Sequence, residues 1–267
     1  MSAARAAHDL RPARVFRDGA WLEGAREIIG EAAVSIVIDG GAEAVMMATP
    51  ADLEDFAYGF ALAEGIAAAP SQLRDLEIIE HPLGVELRLW LHDGARTAHA
   101  ARRRTRAGPA GCGLCGVESL EDAMRPARQV GGAFTVGAAE IVAAMRTLAE
   151  QQRLNRATRA AHAAAFFTPG DGVSLVREDV GRHNALDKLV GALARAGKNA
   201  SAGVIIMTSR VSVELIQKAA FAGAPVLAAI SAPTTLALDT ARACGLCVCG
   251  IVRDNGLEVF THAERIS

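Results

Sequence analysis

The stretch that decides the fold is residues 203–252, GVIIMTSRVSVELIQKAAFAGAPVLAAISAPTTLALDTARACGLCVCGIV, in which apolar runs alternate with amphipathic segments. The three apolar runs are short and nearly continuous, and the two segments between them have helical spacing. Strands of this kind alternating with helices indicate a parallel or mixed sheet that is covered on both faces. The following stretch VRDNGLEVFTH, residues 252–262, predicts a hairpin turning at Asn255-Gly256. The sequence therefore predicts an α/β fold.

A smaller α/β unit is predicted on the N-terminal side of this sheet. Residues 31–49 predict a β-hairpin that turns at Gly40. Residues 49–65 predict a helix with Thr49 as its N-cap, packed on that hairpin. A second hairpin is expected in residues 73–92.

The domain boundary is predicted where hydrophobic periodicity ends. The stretch ARRRTRAGPAGCGLCG, residues 101–116, has no apolar repeat and contains glycine and proline. We therefore expect a small N-terminal α/β domain over residues 1–110. Residues 111–267 are expected to form a second domain that carries the C-x-x-C loop.

The composition narrows the classes of function. The chain has 267 residues, of which 51% are apolar and 22% charged, as in ordinary globular proteins. Aromatic residues make up only 4%, and 28 basic residues stand against 30 acidic ones, so nucleic-acid binding is not expected. No apolar run reaches the ~20 residues that span a bilayer, and the N-terminal sequence lacks the apolar core of a secretory signal. We expect a cytoplasmic protein with no membrane partner.

Two cysteines lie in AGCGLCG, residues 110–116, which fits two motif templates. The G-x-G-x-x-G template of dinucleotide-binding loops needs a preceding strand, but the arginine-rich stretch before it has no strand pattern. Cys112 and Cys115 form C-x-x-C and precede a predicted helix at residues 117–124, whose N-terminus favours a thiolate. Thiolates on a glycine-rich loop suit a sulfur relay or disulfide exchange, because the sulfur must reach and attack a partner.

A metal centre is the other interpretation of C-x-x-C. A structural zinc takes four ligands, and the remaining cysteines are Cys244, Cys247 and Cys249. Cys247 and Cys249 lie in a predicted buried strand, where cysteine packs as a small apolar residue. The H-x-E that a nucleoside deaminase places upstream of its cysteine ligands occurs only near the C-terminus. We therefore expect no metal site and apolar packing for these three cysteines.

Polar residues at predicted strand ends indicate an anionic ligand. Arg182 and His183 come directly before a predicted helix, and Asn184 as its N-cap explains neither of them. Arg210 lies in TSRVS, residues 208–212, after a strand end where open α/β sheets bind ligands. Helix capping alone remains an alternative for the hydroxyl residues, whereas the arginine favours a nucleotide phosphate.

Four motifs together resemble the FdhD family of formate dehydrogenase accessory sulfurtransferases. They are AGCGLCG at 110–116, EDVGRHNALDKLVG at 178–191, TSRVSVELIQKAA at 208–220 and ISAPTTLAL at 230–238. The resemblance extends from GFALAEGI, which begins at residue 59, to the C-terminus. It implies a small N-terminal α/β domain and a C-terminal cytidine-deaminase-like domain, with a mixed sheet covered by helices and without the deaminase zinc.

The resemblance also implies a function. Members of the family accept sulfur from a cysteine desulfurase as a cysteine persulfide and deliver it to molybdenum bis(molybdopterin guanine dinucleotide), the cofactor of formate dehydrogenase. They bind this guanine-nucleotide-containing cofactor, usually as homodimers. By motif, Cys112 corresponds to the persulfide carrier and Cys115 to a relay or resolving thiol. Arg210, Arg182 and His183 are expected to hold the anionic nucleotide.

The family's C-terminal cofactor segment maps onto IVRDNG, which comprises Ile251, Val252, Arg253, Asp254, Asn255 and Gly256. Arg253 could pair with a phosphate there, and the hairpin amides could contact guanine or its linker. The family often has an aromatic residue where this chain has Ile251, which leaves a stacking role open. It also often has Thr-Gly where this chain has Thr158-Arg159.

We hypothesise a sulfurtransferase with a persulfide intermediate on Cys112. The alternative is a non-catalytic chaperone that binds and inserts the molybdenum cofactor, with the cysteines as contacts only. A third hypothesis is a zinc-dependent deaminase or zinc module, which stoichiometric zinc in the purified protein would support.

Overall fold

The structure is a computed structural model that describes residues 6–106 and 126–267. Its strands, numbered along the chain, are β1 (His8–Arg17), β2 (Ala20–Ile29), β3 (Ala32–Ile38), β4 (Gly41–Ala48), β5 (Leu73–His81), β6 (Gly84–Leu91), β7 (His162–Thr168), β8 (Gly172–Asp179), β9 (Val204–Met207), β10 (Val226–Ala229), β11 (Cys247–Arg253) and β12 (Gly256–Thr261). Its α-helices are α1 (Leu53–Ala63), α2 (Asp93–Arg106), α3 (Ala138–Gln151), α4 (Arg153–Thr158), α5 (Arg182–Arg195), α6 (Val213–Ala222) and α7 (Thr235–Cys244). None of the helices in the described residues is long and apolar enough to cross a membrane.

A six-stranded sheet occupies the C-terminal part, in the order β12-β11-β10-β9-β7-β8. Strands β9, β10 and β11 are parallel, whereas β7, β8 and β12 pair antiparallel with their neighbours. The sequences VIIM of β9 and VLAA of β10 are buried throughout, as expected for strands covered on both faces. The predicted mixed sheet is confirmed, and the arrangement agrees with the cytidine-deaminase-like fold that the resemblance implied.

Helices cover the two faces of this sheet unequally. Alternate side chains, such as Ile205 and Leu227, face one way and pack against α5, α6 and α7. Their neighbours Ile206 and Ala228 face the other way and pack with Leu148 and the rest of the buried side of α3. The period-two alternation of the strands thus divides the apolar residues between two cores.

A four-stranded sheet in the order β4-β3-β6-β5 lies on the N-terminal side. β3 and β4 are joined by Asp39 and Gly40, both with positive φ (48° and 79°), the conformation that a tight two-residue hairpin requires. Helix α1 covers one face and buries Phe56 and Phe60 against it. Both predicted hairpins and the predicted helix are present.

Strands β1 and β2 form a separate hairpin with register Phe16 opposite Trp21. The two rings lie 5.3 Å apart between centroids, and their side chains are 60% and 61% exposed. The loop is Asp18-Gly19, again with both φ values positive. This hairpin was not predicted from the sequence.

Helices α1 and α5 cross with their backbones in contact. A Cβ atom on Gly59 would lie 1.6 Å from the carbonyl oxygen of Asp187, and one on Gly191 would lie 1.8 Å from that of Asp55. The two glycines therefore allow an approach that no side chain permits. This crossing joins the N-terminal sheet to the helices of the six-stranded sheet.

Two local predictions were wrong. Thr49 does not cap α1, whose N-cap is Asp52 in the left-handed region (φ 52°), because the hydroxyl of Thr49 instead accepts a bond from the amide of Val180. Asn184 is not the N-cap of α5, which begins at Arg182 after Gly181. Residues 101–106, which have no apolar repeat, continue α2. The predicted boundary between residues 110 and 111 lies outside the described residues.

Candidate functional site

One edge of the six-stranded sheet gathers most of the residues that the sequence singled out. β8, β9, β10 and β11 run in the same direction, since β8 and β9 are both antiparallel to β7. Their carboxyl ends therefore lie at the same edge. Arg182 and His183 follow β8, Arg210 follows β9, and Ile251 to Arg253 end β11. With roughly 4.8 Å between strands, about 19 Å separates β8 from β11, so only an extended ligand can touch both ends.

The first turn of α5 presents Arg182 and His183 toward α6. The Nε2 atom of His183 lies 3.3 Å from the hydroxyl of Ser212 and 3.7 Å from a carboxylate oxygen of Glu214. Two helix N-termini therefore meet here, and the aligned peptide dipoles give each a partial positive charge. Ser212 occupies the N-cap of α6, but its side chain makes no capping bond.

The histidines at this edge are neutral at pH 7. Burial, reinforced by the charge of Arg182, lowers the pKa of His183 from 6.5 to about 4. The same two causes lower the pKa of His162, the first residue of β7. Nε of Arg182 is buried and has no hydrogen-bond partner within the described residues. Positive charge at the edge thus comes from arginines and helix ends, while the imidazoles supply hydrogen bonds.

The segment after β9 places Arg210 in solvent at the same edge. Thr208 extends the sheet, because its amide donates to the carbonyl of Ala163 (3.1 Å) and its hydroxyl accepts from the amide of Ala163 (2.9 Å). The hydroxyl of Ser209 donates to the carbonyl of Arg210 at 2.9 Å. Of the polar residues predicted here, Arg210 is therefore the one whose side chain extends to solvent beyond the sheet.

The end of β11 has an irregular backbone at Ile251. Its φ is +50°, it lies in a break of the β11–β12 register, and its side chain is 37% exposed. The side chain of Val252 is buried in the core, so only its backbone can contact a ligand. Nη1 of Arg253 donates to the carbonyls of Ile230 and Val252, which places this guanidinium beside the end of β10.

The predicted C-terminal hairpin is confirmed, with its turn at Asp254 and Asn255, one residue earlier than expected. Both turn residues are exposed. Gly256 pairs with Arg253 and has φ +147°, a conformation that side chains rarely adopt. The turn therefore projects from the cationic edge at the end of the sheet.

Sequence reasoning missed a buried polar cluster directly behind Arg182 and His183. Asp179 and Lys188 are both fully buried and lie 2.7 Å apart. A signal was present, because Lys188 interrupts the apolar run of α5, and a lysine in a buried helix needs a partner. The partner could not be identified from spacing alone.

The catalytic candidates Cys112 and Cys115 lie outside the described residues. Cys244, Cys247 and Cys249 are buried and unpaired in disulfides, as predicted. Burial raises the pKa of the Cys244 thiol, and a hydrogen bond with Cys247 together with burial raises that of Cys249. Because all three thiols are buried, a sulfur donor cannot reach them without opening of the core. Within residues 6–106 and 126–267, no group of three or more His, Cys, Asp or Glu residues could hold a metal ion.

The fold and this edge define an α/β protein with a mixed sheet, whose cationic carboxyl edge and converging helix N-termini suit an extended anion. The sequence matches the FdhD/NarQ family over residues 29–267, and the chain belongs to that family. The resemblance found in the motifs is thus confirmed.

Relatives named sulfur carrier protein FdhD match over most of the chain. The one from Agrobacterium fabrum is 48% identical over 94% of this chain and 93% of its own length. The one from Brucella abortus is 47% identical over the same shares. A crystal structure assigned to a formate dehydrogenase accessory protein from Desulfotalea psychrophila superimposes with a TM-score of 0.74. It covers 97% of this chain and 99% of its own, and at 22% identity it supports the fold alone.

Proposed function

We propose that this protein is a sulfurtransferase that carries sulfur from a cysteine desulfurase to the molybdenum bis(molybdopterin guanine dinucleotide) cofactor of formate dehydrogenase. The cofactor is its substrate and cargo. The observation that carries the proposal is the cationic edge where Arg182, Arg210 and Arg253 lie beside the neutral His183, in a chain whose relatives are named sulfur carriers. An extended edge of arginines and helix N-termini is suited to the phosphates of a dinucleotide.

Sulfur is loaded by thiol–persulfide exchange. The thiolate of Cys112 attacks the terminal sulfur of the desulfurase persulfide, and the sulfur–sulfur bond of that persulfide breaks. The desulfurase cysteine leaves as a thiolate, and Cys112 then carries the persulfide. No electrons are gained or lost overall, because one sulfur–sulfur bond replaces another.

Delivery to molybdenum requires sulfide, which is two electrons more reduced than persulfide sulfur. The thiolate of Cys115 supplies these electrons when it attacks the Sγ atom of Cys112 and forms a Cys112–Cys115 disulfide. The terminal sulfur then leaves as hydrosulfide and becomes a ligand of the metal. An external thiol must afterwards reduce the disulfide.

The nucleotide portion of the cofactor is held along the sheet edge. Arg182 and Arg210 bind phosphate, and neutral His183 donates a hydrogen bond. Arg253 binds phosphate at the other end of the edge, and the turn at Asp254 and Asn255 contacts guanine or its linker. We further propose that the protein works in the cytoplasm and that it forms a homodimer. Sedimentation of the purified chain tests the oligomeric state.

Intact-mass analysis tests the sulfur-carrying step. Wild type incubated with a cysteine desulfurase and cysteine should gain the mass of one sulfur atom, which dithiothreitol removes. Cys112→Ala should gain none. Cys244→Ala is the matched control, because Cys244 is buried, and it should load like wild type. Loading of Cys112→Ala to the wild-type extent would show that Cys112 is not the carrier.

The alternative is a chaperone that inserts the cofactor without transferring sulfur, and the same cationic edge supports it. It requires cofactor binding but no persulfide. Formate dehydrogenase activity at the wild-type level in cells that carry only Cys112→Ser would favour the chaperone, because serine forms no persulfide. Loss of activity with retained guanosine diphosphate binding would favour the sulfurtransferase.

A further inference from the structure

A buried carboxylate lies behind the cationic edge and receives four hydrogen bonds. Oδ1 of Asp179 accepts from the amide of Gly181 (2.7 Å) and from the side-chain amide of Asn184 (2.9 Å). Oδ2 accepts from the amide of Thr49 (2.9 Å) and from Nζ of Lys188 (2.7 Å). Each oxygen therefore has two donors, and the carboxylate is fully satisfied although it is 0% exposed.

The cluster extends into the N-terminal sheet. Nζ of Lys188 also donates to the carbonyl of Thr49 at 2.9 Å. The hydroxyl of Thr49 accepts from the amide of Val180 at 3.1 Å, and Asn184 donates to the carbonyl of Met47 at 2.9 Å. The end of β4 thus binds both the end of β8 and the first turn of α5.

These contacts enclose the two predicted anion-binding residues. The bonds to Gly181 and Asn184 lie on either side of Arg182 and His183 in the chain. At Gly181 a Cβ atom would lie 2.9 Å from the side-chain amide of Asn184, so the turn is closely packed. The direction in which Arg182 and His183 project therefore depends on Asp179.

The negative charge of Asp179 also bears on whether Arg182 can bind an anionic ligand. Asp179 and Arg182 both act electrostatically on His162, so they lie at the same end of β7. A carboxylate there would compete with a ligand for Arg182. Lys188 instead neutralises it at 2.7 Å, and Nε of Arg182 has no hydrogen-bond partner in the described part of the chain.

We propose that Asp179 is a positioning residue for the anion site, which with Lys188 and Thr49 holds the turn that presents Arg182 and His183. Its pairing with Lys188 keeps Arg182 available to the ligand. This inference rests on the nucleotide site of the proposed function. It adds that the end of β4, in the N-terminal sheet, helps to hold that site in place.

Calorimetric titration of the full-length chain with guanosine 5′-diphosphate tests the proposal. Asp179→Asn should weaken nucleotide binding by about tenfold or more, the size of loss typical when a residue that orients a ligand-binding side chain is replaced. The milder Thr49→Val should also weaken binding. Lys188→Met should also weaken binding, because the unpaired carboxylate attracts Arg182. Asp179→Asn combined with Lys188→Met should recover part of the loss, because charge balance is restored.

The matched control is Asp187→Asn. Like Asp179, Asp187 is a fully buried aspartate. It lies in α5 and is paired with Lys218 at 2.8 Å. Its carboxylate accepts hydrogen bonds from Lys218, whereas that of Asp179 accepts from Gly181 and Asn184 of the turn, so Asp187→Asn should lose stability but keep its nucleotide affinity. A second readout is the titration of the His183 ring by NMR, whose midpoint should rise from about 4 in Thr49→Val as the turn loosens.

Three results would overturn the proposal: absence of binding by wild type, affinities of Asp179→Asn and Thr49→Val within twofold of wild type, or an equal loss in Asp187→Asn. Loading of sulfur on Cys112, measured by intact mass, decides the proposed function separately. A protein that loads sulfur but binds nucleotide without regard to Asp179 retains its function and refutes this inference alone.

Discussion

The crossing of α1 and α5 allows a prediction in which two physical effects oppose each other. Gly59→Ala places a methyl group in the middle of a helix, which by helix propensity alone stabilises by roughly 1 kcal/mol. The methyl would lie 1.6 Å from the carbonyl oxygen of Asp187, which is 1.8 Å short of the 3.4 Å at which ordinary contact begins. The obstacle is helix backbone, so the whole of α1 must move away from α5.

The cost of that movement exceeds the gain in propensity. Overpacking costs about 1–3 kcal/mol when side chains can adjust, and more when they cannot. Displacement of α1 also strains the buried carboxylate of Asp55, which Arg177 contacts at 2.7 Å and Arg195 at 2.6 Å. We therefore expect Gly59→Ala to lower the free energy of unfolding by at least about 2 kcal/mol. This corresponds to a decrease of roughly 4–8 °C in melting temperature for a chain of this size.

Urea unfolding followed by circular dichroism measures this effect, with Gly94→Ala as the control. Gly94 lies in the first turn of α2, has no positive φ, and a Cβ atom there would meet nothing within 4 Å. Gly94→Ala should be neutral or slightly stabilising. If Gly59→Ala proves as stable as wild type or more so, the two helices do not cross in backbone contact.

Three further predictions concern the site, the thiols and the N-terminal hairpin. Burial and Arg182 hold the pKa of His183 at about 4 instead of 6.5, so the unfolded state binds the proton more strongly and stability should fall as pH drops from 6.5 to 4. His183→Gln should flatten the stability profile between pH 6.5 and 4. Arg182→Gln should raise the midpoint of the His183 NMR titration, and an unchanged midpoint would mean that the two side chains are not neighbours. Cys244, Cys247 and Cys249 should resist iodoacetamide at pH 8 in the native protein and react in urea, because they are buried; peptide mapping that finds them modified in native protein would contradict their burial. Amides of β1 and β2 should exchange with deuterium much faster than those of β9 and β10, because an exposed two-stranded hairpin is marginally stable. Equal protection from exchange would show that another surface covers the hairpin.

The sequence predicted the elements that depend on local chemistry. The alternation of apolar runs and helices after residue 203 sufficed for the mixed sheet, because a strand with no polar side chain must be covered on both faces. The C-terminal hairpin followed from the turn chemistry of Asn255-Gly256, although the turn itself lies one residue earlier, at Asp254 and Asn255. The same signal, Asp18-Gly19 between two strand-like runs, was present in the first hairpin and was missed.

The errors arose where tertiary contacts override local preference. Thr49 has the sequence context of an N-cap, but its hydroxyl accepts a bond from Val180, which is 131 residues away. Asn184 likewise contacts Met47 and Asp179 instead of capping α5. Spacing cannot reveal such partners, because a capping side chain bonds equally well to any nearby amide. For the same reason the arginines of the candidate site were found individually, while the buried support behind them was not.

The most direct test of the central claim follows radiolabelled sulfur from cysteine to formate dehydrogenase. The protein is loaded by a cysteine desulfurase, separated from it, and mixed with formate dehydrogenase that contains unsulfurated cofactor. We predict that label appears on wild type and on Cys244→Ala, passes to the molybdenum cofactor as enzyme activity rises, and is absent from Cys112→Ala. Equal transfer of label to the cofactor by Cys112→Ala and wild type would contradict the account.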